Sequence, residues 1–354
     1  MALRPGARKG RGACSNPAGR YEPWAVEPAE DGWPSDEPDP APRTTVEWDR
    51  ARSVIARNGS PDVPFDRSVN PYRGCEHGCI YCYARPSHAR LGLSPGLDFE
   101  TRLYAKADAA RLLREALARP GYRCAPIALG ANTDPYQPVE RRLRITRAIL
   151  EVLAECRHPV MVTTKSAAVE RDLDLLADMA REGLAEVAIS VGTLDPGLAR
   201  RLEPRATAPA RRIEAIRRLS AAGVPVRVLC APVIPALNDH ELERVLGAAA
   251  EAGARAAGYV LLRLPGEVRG LFEEWLAVHY PDRARRVLNA LRAARGGRLS
   301  DARFGRRMTG EGEYARLLAR RFALAARRHG LDRGLPPLDA TRFRPPGPVQ
   351  HALL

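Results

Sequence analysis

Lysine is almost absent from this sequence. Only Lys9, Lys106 and Lys165 stand among 56 basic residues, and 56 less these three leaves 53 arginines. Alanine and proline are also abundant, so the arginine excess reads as a compositional bias spread over the chain. That reading discounts the formal net charge of +14, which would otherwise point to a nucleic-acid partner. It also singles out Lys165, a lysine retained where arginine is the habit. Long apolar runs and a signal-peptide core are missing as well, so no membrane anchor is expected. The seven cysteines do not make a disulfide framework: Cys14, Cys124, Cys156 and Cys230 are scattered, while Cys75, Cys79 and Cys82 are bunched. A reducing cytoplasm is the expected location.

What the sequence does contain is centred on Asn70–Pro86. Cys75, Cys79 and Cys82 fall there in a C-x3-C-x2-C spacing, with Gly74 and Gly78 to flex the loop and Tyr81 and Tyr83 flanking the third cysteine. Three thiolates so close in sequence can converge on one iron–sulfur cube. Such cubes usually take four cysteines, and a loop offering three leaves one iron open to a ligand that is not protein. The competing reading is structural zinc, with His77 or His88 completing a Cys3His set. Zinc modules usually pair two cysteines with a distant second pair, which is missing here. A disulfide would leave an odd thiol.

Downstream the hydrophobic pattern alternates. Strands are predicted at Ile127–Gly130, Val160–Thr164, Ala185–Val191, Val224–Cys230 and Ala257–Leu262. Helices are predicted at Leu143–Ala154, Asp172–Arg181, Pro209–Ala222 and Asp239–Ala252. Gly183, Gly223 and Gly253 sit where helices end and a left-handed residue is wanted. Continuous apolar strands alternating with amphipathic helices imply a parallel sheet covered by helices. With the strand before the cysteine loop there are six β/α units, with right-handed crossovers. Leu93–Lys106 is expected to be an extended insertion. Residues 1–45, rich in proline and charge, read as a disordered or loosely packed arm, with Trp24, Trp33 and Trp48 as residues that could pin it. The core is assigned to 46–265, a C-terminal helical extension to 266–335 and a proline-rich tail to 336–354.

The cysteine spacing, with an aromatic before the third cysteine, resembles the signature of the radical S-adenosylmethionine superfamily. More narrowly the sequence is similar to an uncharacterised bacterial family related to spore photoproduct lyase. The blocks that carry this are Asn58–Asp62, the cysteine loop through His88, Ser94–Glu100, Asp134–Glu140, Leu202–Arg205, Leu262–Pro265 and Phe304–Gly312. The resemblance implies an α/β fold, an incomplete (βα)6 barrel with a C-terminal helical cap. It also implies a [4Fe–4S] cluster on Cys75, Cys79 and Cys82, bound S-adenosylmethionine, and reductive cleavage to a 5′-deoxyadenosyl radical. An electron donor of flavodoxin or ferredoxin type would supply the reaction, and nucleic acid is one candidate substrate.

In barrels of this kind the working residues stand at the C-terminal ends of strands. Tyr81 is placed beside the adenine, and Ser190 at the ribose. Lys165 or Arg205 is placed at the methionyl carboxylate. The Gly-Gly-Glu motif that commonly holds the methionyl amino group is missing, which leaves Thr133, Asp134 or Glu140. Cys230 and Tyr83 are the candidates for catalytic work, Cys230 as a hydrogen-atom donor. Photoproduct lyases share the two tyrosines, Lys165 and Ser190. Their donor cysteine after the second strand is replaced here by Asn132, which separates this chain from thymine-dimer reversal. Two further readings belong to other classes. One is a non-catalytic iron–sulfur or zinc module that binds nucleic acid. The other is methylthio transfer, which usually needs a second cysteine-bound cluster that the scattered cysteines do not suggest.

Overall fold

The computed structural model describes residues 6–23 and 43–347. Among the described residues ten strands and eleven α-helices follow one another. The strands are β1 (Thr45–Trp48), β2 (Ile55–Arg57), β3 (Arg67–Val69), β4 (Tyr72–Arg73), β5 (Arg102–Ala105), β6 (Ile127–Leu129), β7 (Val160–Thr164), β8 (Ala185–Ser190), β9 (Val226–Val233) and β10 (Ala256–Leu261). The helices are α1 (Leu97–Thr101), α2 (Ala109–Leu117), α3 (Glu140–Leu143), α4 (Ile145–Glu155), α5 (Leu173–Arg181), α6 (Pro196–Leu202), α7 (Pro209–Ala221), α8 (Leu242–Glu251), α9 (Val268–His279), α10 (Pro281–Ala293) and α11 (Glu313–Arg328).

The large sheet runs β10-β9-β8-β7-β6-β3-β2. Its six strands from β3 to β10 are parallel, and only β2 joins antiparallel. This is the partial barrel that the strand–helix rhythm predicts. Val160, Val162, Val187, Ile189, Val226 and Val228 belong to one buried apolar cluster with helix residues such as Ile149, Leu176, Ile216 and Leu246. Side chains alternate along a strand, so the opposite, lumen face carries Ala128, Ala188, Ala256 and Gly258. Met161, Glu186, Arg227 and Leu229 share that face.

The second sheet, β1-β5-β4, carries the cysteine loop, because β4 runs straight into Gly74 and Cys75. It also corrects the reading of Leu93–Lys106 as an extended insertion. Leu97–Thr101 is a helical turn whose Phe99 is buried behind the loop, and only Arg102–Ala105, with Leu103 buried, is extended. The alternation of Phe99, Thr101 and Leu103 resembles a strand, since so few positions in five residues do not separate the two periods.

Within the N-terminal arm, residues 6–23 pack on the body, and Ala13 and Cys14 are buried in a cluster with Cys79, Ile80, Leu97 and Trp275. Trp24 and Trp33 lie outside the described residues. Trp48 is 61% exposed on β1 and pins nothing. At the C-terminal side, α11 closes on β10 and α8 through Tyr259 against Phe322 and through a Tyr314–Asp239 hydrogen bond of 2.6 Å. Two sequence blocks far apart in the chain meet across the open side of the barrel. Asp62 accepts from the Gly305 N–H at 2.7 Å and from Arg307, and Arg307 also donates to Ser60. No helix of the described residues is long and apolar enough to cross a membrane.

Candidate cofactor site at the barrel mouth

The cysteine loop is held by backbone geometry and by one buried ion pair. Gly74 has φ of 76°, and a Cβ there would meet Leu103 Cδ2 at 2.8 Å and Phe99 O at 2.9 Å. Only glycine accommodates both the conformation and the approach. The Cys75 N–H then donates to Phe99 O at 2.9 Å. Arg85, fully buried, donates to Cys79 O at 2.9 Å and to Gly78 O at 3.1 Å, and reaches Pro95 O and Gly96 O on the far side. Its charge is balanced by buried Glu100, whose carboxylate also accepts the N–H groups of Gly12 and Ala13 at 3.0 and 2.8 Å. The arm, the loop and the second sheet thus meet at one carboxylate. Sequence reading missed this pair because nothing marks one arginine of 53 as buried.

Cys75, Cys79 and Cys82 are free thiols, the first two buried and the third half-buried. Burial pushes all three thiol pKa values up. A metal that takes them as thiolates must therefore displace protons. His88, offered above as a zinc ligand, points its Nε2 at Arg102 O at 2.9 Å and stands edge-on to Phe99. His77 Nδ1 lies 3.3 Å from Asp134 Oδ2. Among the described residues no three His, Cys, Asp or Glu side chains converge on a single metal ion. A cube asks for less convergence, since each thiolate takes a different iron.

The three candidates for the methionyl amino group are already engaged. Thr133 donates to Tyr72 O at 2.8 Å. Glu140 is buried behind the mouth, where Tyr72, the Thr146 N–H and Arg171 all donate to it, so its place is in the scaffold. Asp134 accepts from Thr164 Oγ1 and from the Lys165 N–H, both at 2.7 Å. Burial raises its pKa, but His77 and these donors outweigh it and hold it at about 2. Asp134 therefore ties the end of β7 to the loop after β6. Gln137, unremarked in the sequence, does the same for the cysteine loop by accepting from the Glu76 N–H and donating to Gly74 O. Arg205 is likewise engaged, pairing with Glu76 at 3.1 Å.

The other predicted residues gather at the mouth. A cleft of about 510 Å³, counting its open entrance, is lined by Tyr81, Tyr83, Lys165, Pro232, Arg263 and Met308 among others. Lys165 Nζ stands 5.9 Å from the Tyr81 ring centre and has no hydrogen bond or ion pair among the described residues. The Ser190 hydroxyl, on the lumen side of β8, also makes none. Tyr81 OH donates to Glu203, which pairs with buried Arg212, and Arg212 donates to Ser190 O at 2.9 Å. Leu202–Arg205 had been singled out for its arginine. Its arginine and its glutamate both reach the cysteine loop, Arg205 at Glu76 and Glu203 at Tyr81.

Cys230 is the clear correction. It lies on β9 with Val226 and Val228, in the apolar cluster beneath the helices, while its neighbour Ala231 lines the cleft. Burial pushes its thiol up to about 12. Strand alternation turns it away from the mouth, so it is a small core residue.

Three free thiols on one rigid loop, facing an unpartnered ammonium across a tyrosine ring, suit a cluster with one open iron and a zwitterionic ligand. The comparisons agree on the class. The Radical SAM superfamily model matches residues 69–249, and the chain belongs to that superfamily. An uncharacterised protein of Mycobacterium tuberculosis (strain H37Rv) is 41% identical over 222 residues, 62% of this chain and 65% of that protein. One from Methanocaldococcus jannaschii is 27% identical over 176 residues, covering 49% and 62%. The chain thus spans a little under two thirds of the length of these relatives. Among solved structures, spore photoproduct lyase complexed with dinucleoside spore photoproduct superposes with a TM-score of 0.57 at 14% identity, covering 80% of this chain and 79% of that one. That likeness shows the fold.

Proposed function

We propose that this chain is a radical S-adenosylmethionine enzyme whose cluster sits on Cys75, Cys79 and Cys82. When bound, a [4Fe–4S] cluster supplies one electron to the sulfonium, which parts into methionine and the 5′-deoxyadenosyl radical that takes hydrogen from a substrate. The protein's own share is placement. Lys165, short of any partner, meets the methionyl carboxylate; Tyr81, oriented by Glu203 and Arg212, lies along the adenine; the Ser190 hydroxyl serves the ribose. With Thr133, Asp134 and Glu140 engaged, backbone carbonyls of the loop after β6 are left for the amino group. A flavodoxin or ferredoxin is the electron donor this chemistry requires. A single observation carries the reading: the loop that bears the three free thiols of the superfamily spacing also places Tyr81 against Lys165 in one cleft. Nucleic acid is one substrate class to screen, because half-exposed Tyr83 offers an aromatic surface at the mouth.

Electron paramagnetic resonance of the anaerobically reconstituted, reduced protein tests it. A reduced [4Fe–4S] signal that changes on adding S-adenosylmethionine is the expected result. A protein that takes up only zinc under conditions where a control enzyme reconstitutes would return the chain to the class of structural modules. Lys165→Met is expected to weaken S-adenosylmethionine binding about tenfold or more, the worth of one charge-assisted hydrogen bond, with bound iron unchanged. Equal affinity in equilibrium dialysis would remove Lys165 from the carboxylate.

A further inference from the structure

The cleft has a second cation that the reading above does not use. Arg263 follows β10 directly and lines the cleft beside Tyr83 and Met308. Its guanidinium lies 5.8 Å from the Tyr83 ring centre, and among the described residues it donates one hydrogen bond, to the Met308 thioether at 3.4 Å. No carboxylate pairs with it among the described residues. A guanidinium carries five N–H donors, and a thioether is a weak acceptor for one of them. Most of this fork is therefore left facing the cleft.

The surroundings make the vacancy electrostatic as well as geometric. Asp62 is already taken by Arg307 and the Gly305 N–H, and Asp301 and Glu311 are taken by Arg303 and Arg306. Burial, with Arg307 near by, holds the Arg263 pKa below its usual value, the sign of a cation that has lost water without gaining a counter-ion. The backbone that carries Arg263 is rigid. Buried Arg295 donates to Leu261 O at 3.0 Å and to Leu262 O at 2.7 Å, and the Leu261 N–H donates to Met308 O at 2.8 Å. A fork fixed in this way loses little freedom on binding.

We propose that Arg263 is an oxyanion subsite for the substrate, taking one carboxylate or phosphate of a small anionic molecule through its planar fork. The proposal rests on the preceding assignment of the Tyr81–Lys165 side of the cleft to S-adenosylmethionine. Lys165 follows β7 and stands at the Tyr81 ring, whereas Arg263 follows β10 and stands at the Tyr83 ring. The two cations are accordingly assigned to different anions. The enclosed part of the cleft is only about 130 Å³, so what is taken at Arg263 is a small group at the open entrance. The Tyr83 ring forms the wall between the two positions and gives the substrate a flat face. Guanidinium matches carboxylate and phosphate alike in two-point geometry, and the probes below separate them.

The test is calorimetric titration of the reconstituted full chain, saturated with S-adenosylmethionine, with inorganic phosphate, pyrophosphate and succinate in turn. At least one probe is expected to bind the parent protein, and Arg263→Met to weaken that probe about tenfold or more. Arg263→Lys, which keeps the charge and removes the fork, should fall between the two. Arg286→Ala, on the exposed face of α10, should change nothing beyond twofold. A preference for phosphate or pyrophosphate points to a phosphorylated substrate, and one for succinate to a carboxylate. Failure of every probe to bind, or equal affinity in a folded Arg263→Met or Arg263→Lys protein, overturns the proposal. S-adenosylmethionine binding is read in the same cell before the probe is added. In the parent protein, a probe that binds where S-adenosylmethionine does not would strike the preceding assignment, whereas S-adenosylmethionine bound with every probe rejected strikes this one.

Discussion

Alanine at any one of Cys75, Cys79 and Cys82 is expected to remove bound iron and sulfide, and with them all cleavage of S-adenosylmethionine. The loop supplies three ligands to a cube that ordinarily takes four, so the loop itself has no spare thiolate. Of the other four thiols, Cys156 and Cys230 are buried in the apolar cluster beneath the helices, and Cys14, which shares a cluster with Cys79, is the one to replace alongside each loop cysteine. Cys124 precedes β6 at the opposite end of the sheet from the mouth. Cys156→Ala and Cys230→Ala should therefore retain the parent iron content while each loses a little core packing. Iron and acid-labile sulfide analysis after anaerobic reconstitution makes the comparison. Retention of a full cluster in Cys75→Ala would show that the loop is not its holder.

Arg85→Met should cost about 3–5 kcal/mol of stability, because it strands Glu100 as a buried charge. Four backbone carbonyls of the loop region lose their donor as well. The pair is worth less than either single loss suggests. Removing both charges in Arg85→Met/Glu100→Gln leaves no uncompensated ion, so the double variant should be more stable than Arg85→Met alone. Denaturant unfolding of the parent and the three variants closes that cycle. A fall below 1 kcal/mol for Arg85→Met would mean that water or another cation reaches Glu100. The consequence extends to the site, since Arg85 sets the carbonyls of Gly78 and Cys79, on either side of a candidate ligand. Loosening that segment should reduce cluster retention on gel filtration.

Much of the architecture was readable along the chain. The alternation of continuous apolar strands with amphipathic helices is local in origin, since each strand is buried on both faces and each helix on one. It predicted the six parallel strands in their order. Leu93–Lys106 was misread where a helical turn and a strand share five residues of the same apolar pattern. The cysteine spacing was equally local. Three ligands within eight residues need only a tight loop to come together.

What the sequence alone determined, then, is what short-range constraints encode: the parallel sheet, the covering helices and the triad of cysteines on one loop. Only the tertiary structure decided which polar residues face the mouth. Alternation along β9 sends Cys230 into the core and Ala231 to the cleft. A carboxylate is occupied or free according to which arginine reaches it from another element. Glu140 and Arg205 are consumed by Arg171 and Glu76, while among the described residues no carboxylate pairs with Lys165 or Arg263. In a chain with 53 arginines, pairing is a long-range outcome of packing. No sequence spacing announces it.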